Sequence, residues 1–334
     1  VKHLFIEGNY FQDVGTAIHL KGSQLRFVRI RNNTFDQGGN TGLFTYTSAT
    51  YASMVMLEGY LYKCEVRNNT FTNIALSYTA GPFAVILLHG PLDGVMVRGN
   101  SFITCGNASG AMSDANKYRS GQVVAHCISS FGTGGVMVEE NECNSACWGA
   151  FVYMDVGKSG GVPIGCGLLT VNKNIYLSTL DDTRNCFVRL SDYVDPLASA
   201  YYNSGVGSIQ IQNNHLQSKQ RGSVDYADAY CDLDRASTNN ANAFVLSEGH
   251  FTGNTFHCLN AVAGTNPTFA ITANDGIPGD VFFAGSGGFC GNNLVKNLGS
   301  QPAPNSDGFK IPDPALAPTV ADQWFRDLNG LYVP

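Results

Sequence analysis

The stretch Arg31-Asn-Asn-Thr-Phe35 recurs unchanged at Arg67–Phe71. Each copy holds an Asn-x-Thr sequon (Asn32 to Thr34, Asn68 to Thr70), so sugar attachment is one reading. A repeated structural unit is the other, and it predicts degenerate copies elsewhere. They are present as LFIEGNYF (4–11), VRIRNNTF (28–35), CEVRNNTF (64–71), VMVRGNSF (95–102), VMVEENEC (136–143), LTVNKNIY (169–176), IQIQNNHL (209–216), GHFTGNTF (249–256) and, less cleanly, GGFCGNNL (287–294). All follow apolar-x-apolar-x-x-Asn-x-apolar. The shared asparagines are Asn9, Asn33, Asn69, Asn100, Asn141, Asn174, Asn214, Asn254 and Asn292. Their irregular spacing is that of a short repeat with loops spliced into it.

A second motif alternates with the first: TAIHLKG (16–22), SMVMLEG (53–59), AVILLHG (84–90), GAFVYMDVG (149–157), NCFVRLSD (185–192) and NAFVLSEG (242–249), with VVAHCISS (123–130) and TFAITANDG (268–276) as looser copies. Both motifs alternate with a two-residue period and end in Gly, Asn or Asp, which are strand signals. The shortest repeat, Asn9 to Asn33, leaves no room for a βαβ unit of about 30 residues. At least two short strands per repeat, stacked on their counterparts about 4.8 Å away, make a parallel β-solenoid. The repeated Asn then caps a sharp turn and bonds the equivalent Asn of the next rung, which makes glycosylation a minor purpose of the motif.

On these nine copies the chain resembles the right-handed parallel β-helix proteins of the pectate-lyase-like superfold. The expected fold is all-β, with about nine rungs over 1–295 and a Pro-rich capping segment over 296–334. Within that segment Thr319–Asp322 starts a capping-box pattern, and Trp324, Phe325 and Leu328 form an apolar helix face. Insertions over 36–52, 103–121, 157–167, 193–207, 217–241 and 275–286 are expected to wall a groove.

Composition narrows the function. A net charge of −6 argues against general nucleic-acid binding, and no apolar run is long enough to span a membrane. The ten cysteines form no C-x-x-C pair; Cys64, Cys143 and Cys186 are expected to face inward as free thiols. The spacing of Cys143 and Cys147 suits no metal, and DYADAYCDLDRAS (225–237) lacks EF-hand order, so neither metal nor cofactor is expected. The chain opens on strand-like residues at Val1, as a processed product or excised piece would.

Rung register turns outward residues into columns. Two residues before each Asn stand Glu7, Arg31, Arg67, Arg98, Glu139, Asn172, Gln212 and Thr252. Three arginines in a row repel unless acids neutralise them, and Glu7, Glu65 and Glu139 are one source; carboxylates of an acidic polymer are the other. The second motif gives Lys21, Glu58, His89, Ser129, Asp155, Ser191 or Asp192, and Glu248 as its exit column. One step earlier come His19, Met56, Leu87, Tyr153, Arg189 and Leu246. An outward stripe of Met56, Leu87 and Leu246 needs a cover, from loops or from another subunit.

Asp155 on one rung faces Asp192 and Asp195 on the next, with Tyr153, Arg189 and Tyr193 beside them. Two carboxyls flanking a bond are what glycoside hydrolysis needs. The arrangement is similar to that of phage tailspike endoglycosidases, in which a carboxylate on one rung faces an Asp-x-x-Asp pair. That resemblance implies a homotrimer cutting bacterial surface polysaccharide, extracellular or on the virion, with Asp155 as general acid where that family has Glu. Asp181-Asp182 resembles the paired Asp of polygalacturonases, whose companion motifs are absent here. The expected substrate-binding residues are Tyr153, Arg189, Tyr193, Asp181, Asp182, Arg31, Arg67 and Arg98. A lyase or epimerase on the same scaffold, and a non-catalytic adhesin or fibre module, are the alternatives.

Overall fold

The computed structural model describes residues 1–46, 49–107, 111–127, 134–145, 149–155, 165–178, 185–191, 205–218, 228–232, 244–258, 268–272, 281–282, 287–291, 294–296 and 309–310. These form an all-β parallel β-helix of nine coils, each adding a strand to three parallel sheets. Sheet 1 carries the residues before the repeated Asn, beginning with Phe5–Glu7, Arg29–Arg31 and Glu65–Arg67. Sheet 2 carries those after it, beginning with Tyr10–Val14, Thr34–Gly38 and Thr70–Ile74. Sheet 3 holds the second motif, beginning with Ile18–Arg26, Ala49–Tyr62 and Phe83–Gly90.

The corner between sheets 1 and 2 explains the repeat. The residue before each ladder asparagine is left-handed: Gly8, Asn32, Asn68, Gly99, Glu140, Lys173, Asn213 and Gly253 have φ between 54° and 70°. Gly and Asn enter that region most easily, so the first Asn of RNNTF is a turn residue. The second Asn is the ladder. The side-chain amides of Asn9, Asn33, Asn69, Asn100, Asn141, Asn174 and Asn214 each donate to the next asparagine's Oδ1 at 2.9–3.1 Å, ending at Asn254. From Asn33 onward each amide also donates to a sheet 1 carbonyl of the previous coil, as Asn100 does to Val66 at 2.9 Å. A buried polar column is thereby satisfied from both sides.

The Phe that closes the motif re-enters the core. Phe11, Phe35, Phe71 and Phe102 stack with centroids 4.7–5.2 Å apart and rings within 7° of parallel. Sheet 1 faces them with Ile30, Val66, Val97, Val138, Val171 and Ile211, all fully buried.

Three sequence expectations change. NAFVLSEG (242–249) is not a sheet 3 strand. Phe244–Thr252 is one long sheet 1 strand, with Leu246 paired to Val206. Sheet 3 of that coil is Asp228–Asp232, inside the insertion expected over 217–241. The strand runs from Phe244 straight into the Asn motif with no turn to divide them. Cys64 and Cys143 are buried free thiols in the central core, as expected, but Cys186 packs in a cluster outside sheet 3. Of the C-terminal segment, Phe309–Lys310 pairs in parallel with Ile271–Thr272; Thr319–Asp322, Trp324, Phe325 and Leu328 lie outside the described residues.

Candidate functional site

Sheet 3 has a second core on its outer face. Register aligns His19, Met56, Leu87, Val124, Tyr153 and Arg189 as one outward column. A neighbouring column is Lys21, Glu58, His89, His126, Asp155 and Ser191. The insertion after the second Asn motif folds back as a strand, Gly42–Tyr46, antiparallel to the start of Ala49–Tyr62. Its Phe44, with Ala49 and Tyr51, packs on Met56, Leu87, Val124 and Tyr153. Met56 and Leu87 are therefore covered by their own chain, and the stripe no longer calls for a second subunit. The insertion over 103–121 contributes a short helix, Asp114–Arg119, whose Ser113 cap accepts from the Asn116 amide.

The polar column runs from a wet end to a dry one. Lys21 Nζ lies 2.7 Å and His19 Nε2 3.4 Å from the Glu58 carboxylate. Burial pushes that carboxyl up, but hydrogen bonds from Lys21 and His19 outweigh it and hold it below the usual range. Burial pushes the His89 imidazole down to about 4, against the pull of the Glu58 charge. Burial likewise drives His126 well below an ordinary histidine, with the charges of His89 and Arg119 adding to the effect. The two Nδ1 atoms are 3.4 Å apart, and both imidazoles are neutral at neutral pH. Phe44 packs at 4.7 Å from the His89 ring, and Tyr51 sets its edge on His126 at 4.9 Å. At the dry end Tyr153 OH donates to Asp155 Oδ2 at 3.4 Å. Burial, and secondarily the charge of Asp155, drives the Tyr51 phenol far up, so it stays protonated.

Asp155, Tyr153 and Arg189 thus share one face on adjacent rungs, with Tyr153 paired to Arg189 and Asp155 to Ser191. All three are buried, at 3%, 1% and 2% exposure, so an external substrate reaches Asp155 only if its cover moves. Asp181, Asp182, Asp192, Tyr193 and Asp195 lie outside the described residues. The exit column contains His126 where Ser129 was expected, and Glu248 belongs to sheet 1. His126 went unread because VVAHCISS extends its apolar alternation one step past the strand's end.

The sheet 1 column is as the spacing required: Glu7, Arg31, Arg67, Arg98, Glu139, Asn172, Gln212 and Thr252 stand in unbroken register. Its neutralisation differs in detail. Arg31 pairs with Glu7 at 2.9 Å, Arg29 with Glu65 at 3.5 Å, and Arg98 makes two 2.9 Å bonds to Glu140 in place of Glu139. Arg67 has no acidic partner among the described residues.

Comparison with protein-family models, with curated proteins and with solved structures finds no match to this chain. Among the described residues no group of three or more His, Cys, Asp or Glu side chains is placed to hold a metal ion.

Proposed function

We propose that this chain is a polysaccharide-binding β-helix of tailspike type that cleaves its glycan by hydrolysis. The reading extends to a homotrimer acting outside the cell or on a virion, against a bacterial surface polysaccharide. The observation that supports it is one of register. Asp155 pairs with Ser191, and the Asp192-x-x-Asp195 segment begins at the very next residue. A carboxyl at the end of one strand and two more just past the end of its neighbour suit an acid and a water-activating base about 6.5–9.5 Å apart. Tyr153 and Arg189 would hold the saccharide or orient the acid.

Chain-length analysis over a panel of capsular and O-antigen polysaccharides tests this, with native mass for the trimer. Asp155→Asn and Asp192→Asn should each abolish shortening of the cognate glycan. If both variants depolymerise it as the wild type does, the assignment is wrong. A binding module without catalysis is the second reading, and the near-complete burial of Asp155 favours it. Retention of a glycan that is never shortened would decide for it.

A further inference from the structure

The two copies of Arg-Asn-Asn-Thr-Phe have the same backbone but different surroundings. In the first, Arg31 Nη2 donates to Glu7 Oε2 at 2.9 Å and Asn32 Nδ2 donates to Glu7 Oε1 at 3.0 Å. Together they clamp one carboxylate, supplied by the preceding rung. In the second, Arg67 and Asn68 stand at the same two positions of the turn; Asn68 has φ 54° against 55° for Asn32. The residue one rung back is now Arg31. An acceptor has been replaced by a like charge.

Among the described residues no other carboxylate fills the gap. Glu7 is committed to Arg31 and Glu140 to Arg98, while Glu65, on Arg67's own strand, is engaged by Arg29. Arg67 Nε is buried without a hydrogen-bond partner. Arg31 Nε shares that state, so the distinguishing feature is the missing carboxylate. Asn68 Oδ1 is turned toward Gly99, as Asn213 Oδ1 is toward Gly253. In that arrangement Asn213 Nδ2 donates back one rung, to Asn172 Oδ1 at 3.3 Å, so the Asn68 amide faces the Arg31 rung. Three guanidinium groups at successive rungs about 4.8 Å apart repel one another, and an anion seated among them would relieve this.

We infer that Arg67 and Asn68 form a binding site for the carboxylate of an acidic saccharide, gripped as Glu7 is gripped one rung earlier. That the carboxylate belongs to a saccharide rests on the polysaccharide reading above. The clamp itself rests on the internal template.

Isothermal titration of the whole chain with a uronic-acid oligosaccharide, its carboxyl-reduced neutral counterpart and sodium acetate tests this. The uronate should bind and the reduced sugar should not. Arg67→Ala should weaken uronate binding by about 10- to 100-fold, the span of a charge-assisted hydrogen bond. Arg31→Glu keeps Arg67 but supplies an internal carboxylate, and should abolish binding by occupying the clamp. Circular dichroism confirms that both variants fold. Unchanged affinity in Arg67→Ala, equal binding of the reduced sugar, or no uronate binding by the wild type would each overturn the inference. Acetate binding as tightly as the oligosaccharide would reduce the site to a free-anion site and overturn the saccharide assignment. Shortening of a glycan by the wild type without any uronate binding would refute this site alone, so failure of the site and failure of the hydrolytic reading are told apart.

Discussion

Replacing Asn100 in the middle of the ladder separates hydrogen bonding from shape. Its amide donates to Val66 O at 2.9 Å and Asn141 Oδ1 at 3.0 Å. Its Oδ1 accepts both the backbone N–H and the amide of Asn69, each at 3.0 Å. Truncation to Ala leaves the Asn69 backbone N–H without an acceptor, while Asn69 Nδ2 keeps Ile30 O and Asn141 Oδ1 keeps the Asn100 N–H. One orphaned buried donor plus weakened partners costs about 2–4 kcal/mol. Asn9→Ala, at the exposed end of the ladder, should cost less than about 1 kcal/mol. Asn100→Asp is the sharper variant, being nearly isosteric. A carboxylate there would set an oxygen against Val66 O and Asn141 Oδ1, two acceptors facing an acceptor, at about 3 kcal/mol or more.

That Asp would have a raised folded pKa. Its deficit should be small below the unfolded value of about 4 and should grow as pH rises through the folded value. A solenoid need not unfold in one step, so the assay is amide hydrogen exchange. The Asn69 amide should lose protection in Asn100→Ala, which removes its acceptor, and that of Asn174, further along the ladder, should change far less. In Asn100→Asp the acceptor for Asn69 stays, and the amide of residue 100, which donates to the repelled Asn141 Oδ1, should lose protection at pH 7. If Asn100→Ala keeps wild-type protection at Asn69, the ladder is packing and the hydrogen-bond argument fails.

Other perturbations give equally direct outcomes. Phe44→Ala should lose about 3 kcal/mol of the hairpin's docking and open His89 to solvent, read as faster exchange in Gly42–Tyr46. Because both imidazoles are lowered in the folded state, their neutral burial stabilises above the unfolded value of about 6.5. That stability is lost as pH falls toward about 4 for His89. Urea midpoints should therefore drop between pH 6.5 and 4.5, and a His89→Gln/His126→Gln variant should show a flatter profile; parallel profiles would refute this. Gly59→Ala should fail to fold or rearrange, because its Cβ would collide with Gly22 O at a φ of 133°. Arg98→Ala, by contrast, should move the midpoint by less than about 1 kcal/mol, since the Arg98–Glu140 pair is exposed.

Sheet 1 and its corner were legible in the sequence because three constraints coincide there: a left-handed residue, an inward amide and an aromatic. Few residue types meet each, so Gly8, Asn32, Asn68, Gly99 and the asparagines after them survive as a pattern. Glu140 and Lys173 show that the left-handed site tolerates other residues, which is why the position before the Asn looked variable. Sheet 2 went unread because its strands begin inside the Asn motif, as Thr34–Gly38 does around Phe35, and were counted with it. The cover over sheet 3 was illegible for another reason. Met56 and Leu87 announce that something must bury them, but nothing local in Phe44 or Tyr51 names their target. The pairing partners of the arginines were half legible: the column followed from spacing, whereas the choice of Glu140 over Glu139 depends on a left-handed turn that swings the side chain.

The polar column beneath that cover poses a last question, which substitution can answer. Beside it, Met56, Leu87 and Val124 show that this face is stable with apolar residues alone. Yet the adjacent positions keep His89, His126 and Asp155, with His126 fully buried. Neutral imidazoles in an aromatic pocket lose hydration that their mutual bond only partly restores. Replacing one of them breaks the bond between them, but replacing both by Leu removes polar atoms together. If the column is retained for chemistry, His89→Leu/His126→Leu should match or exceed wild-type stability, by up to about 2 kcal/mol, while glycan cleavage falls. Should the double variant instead lose more than about 2 kcal/mol, the histidines are scaffold, and chemistry on this face would have to reside at Asp155 and beyond.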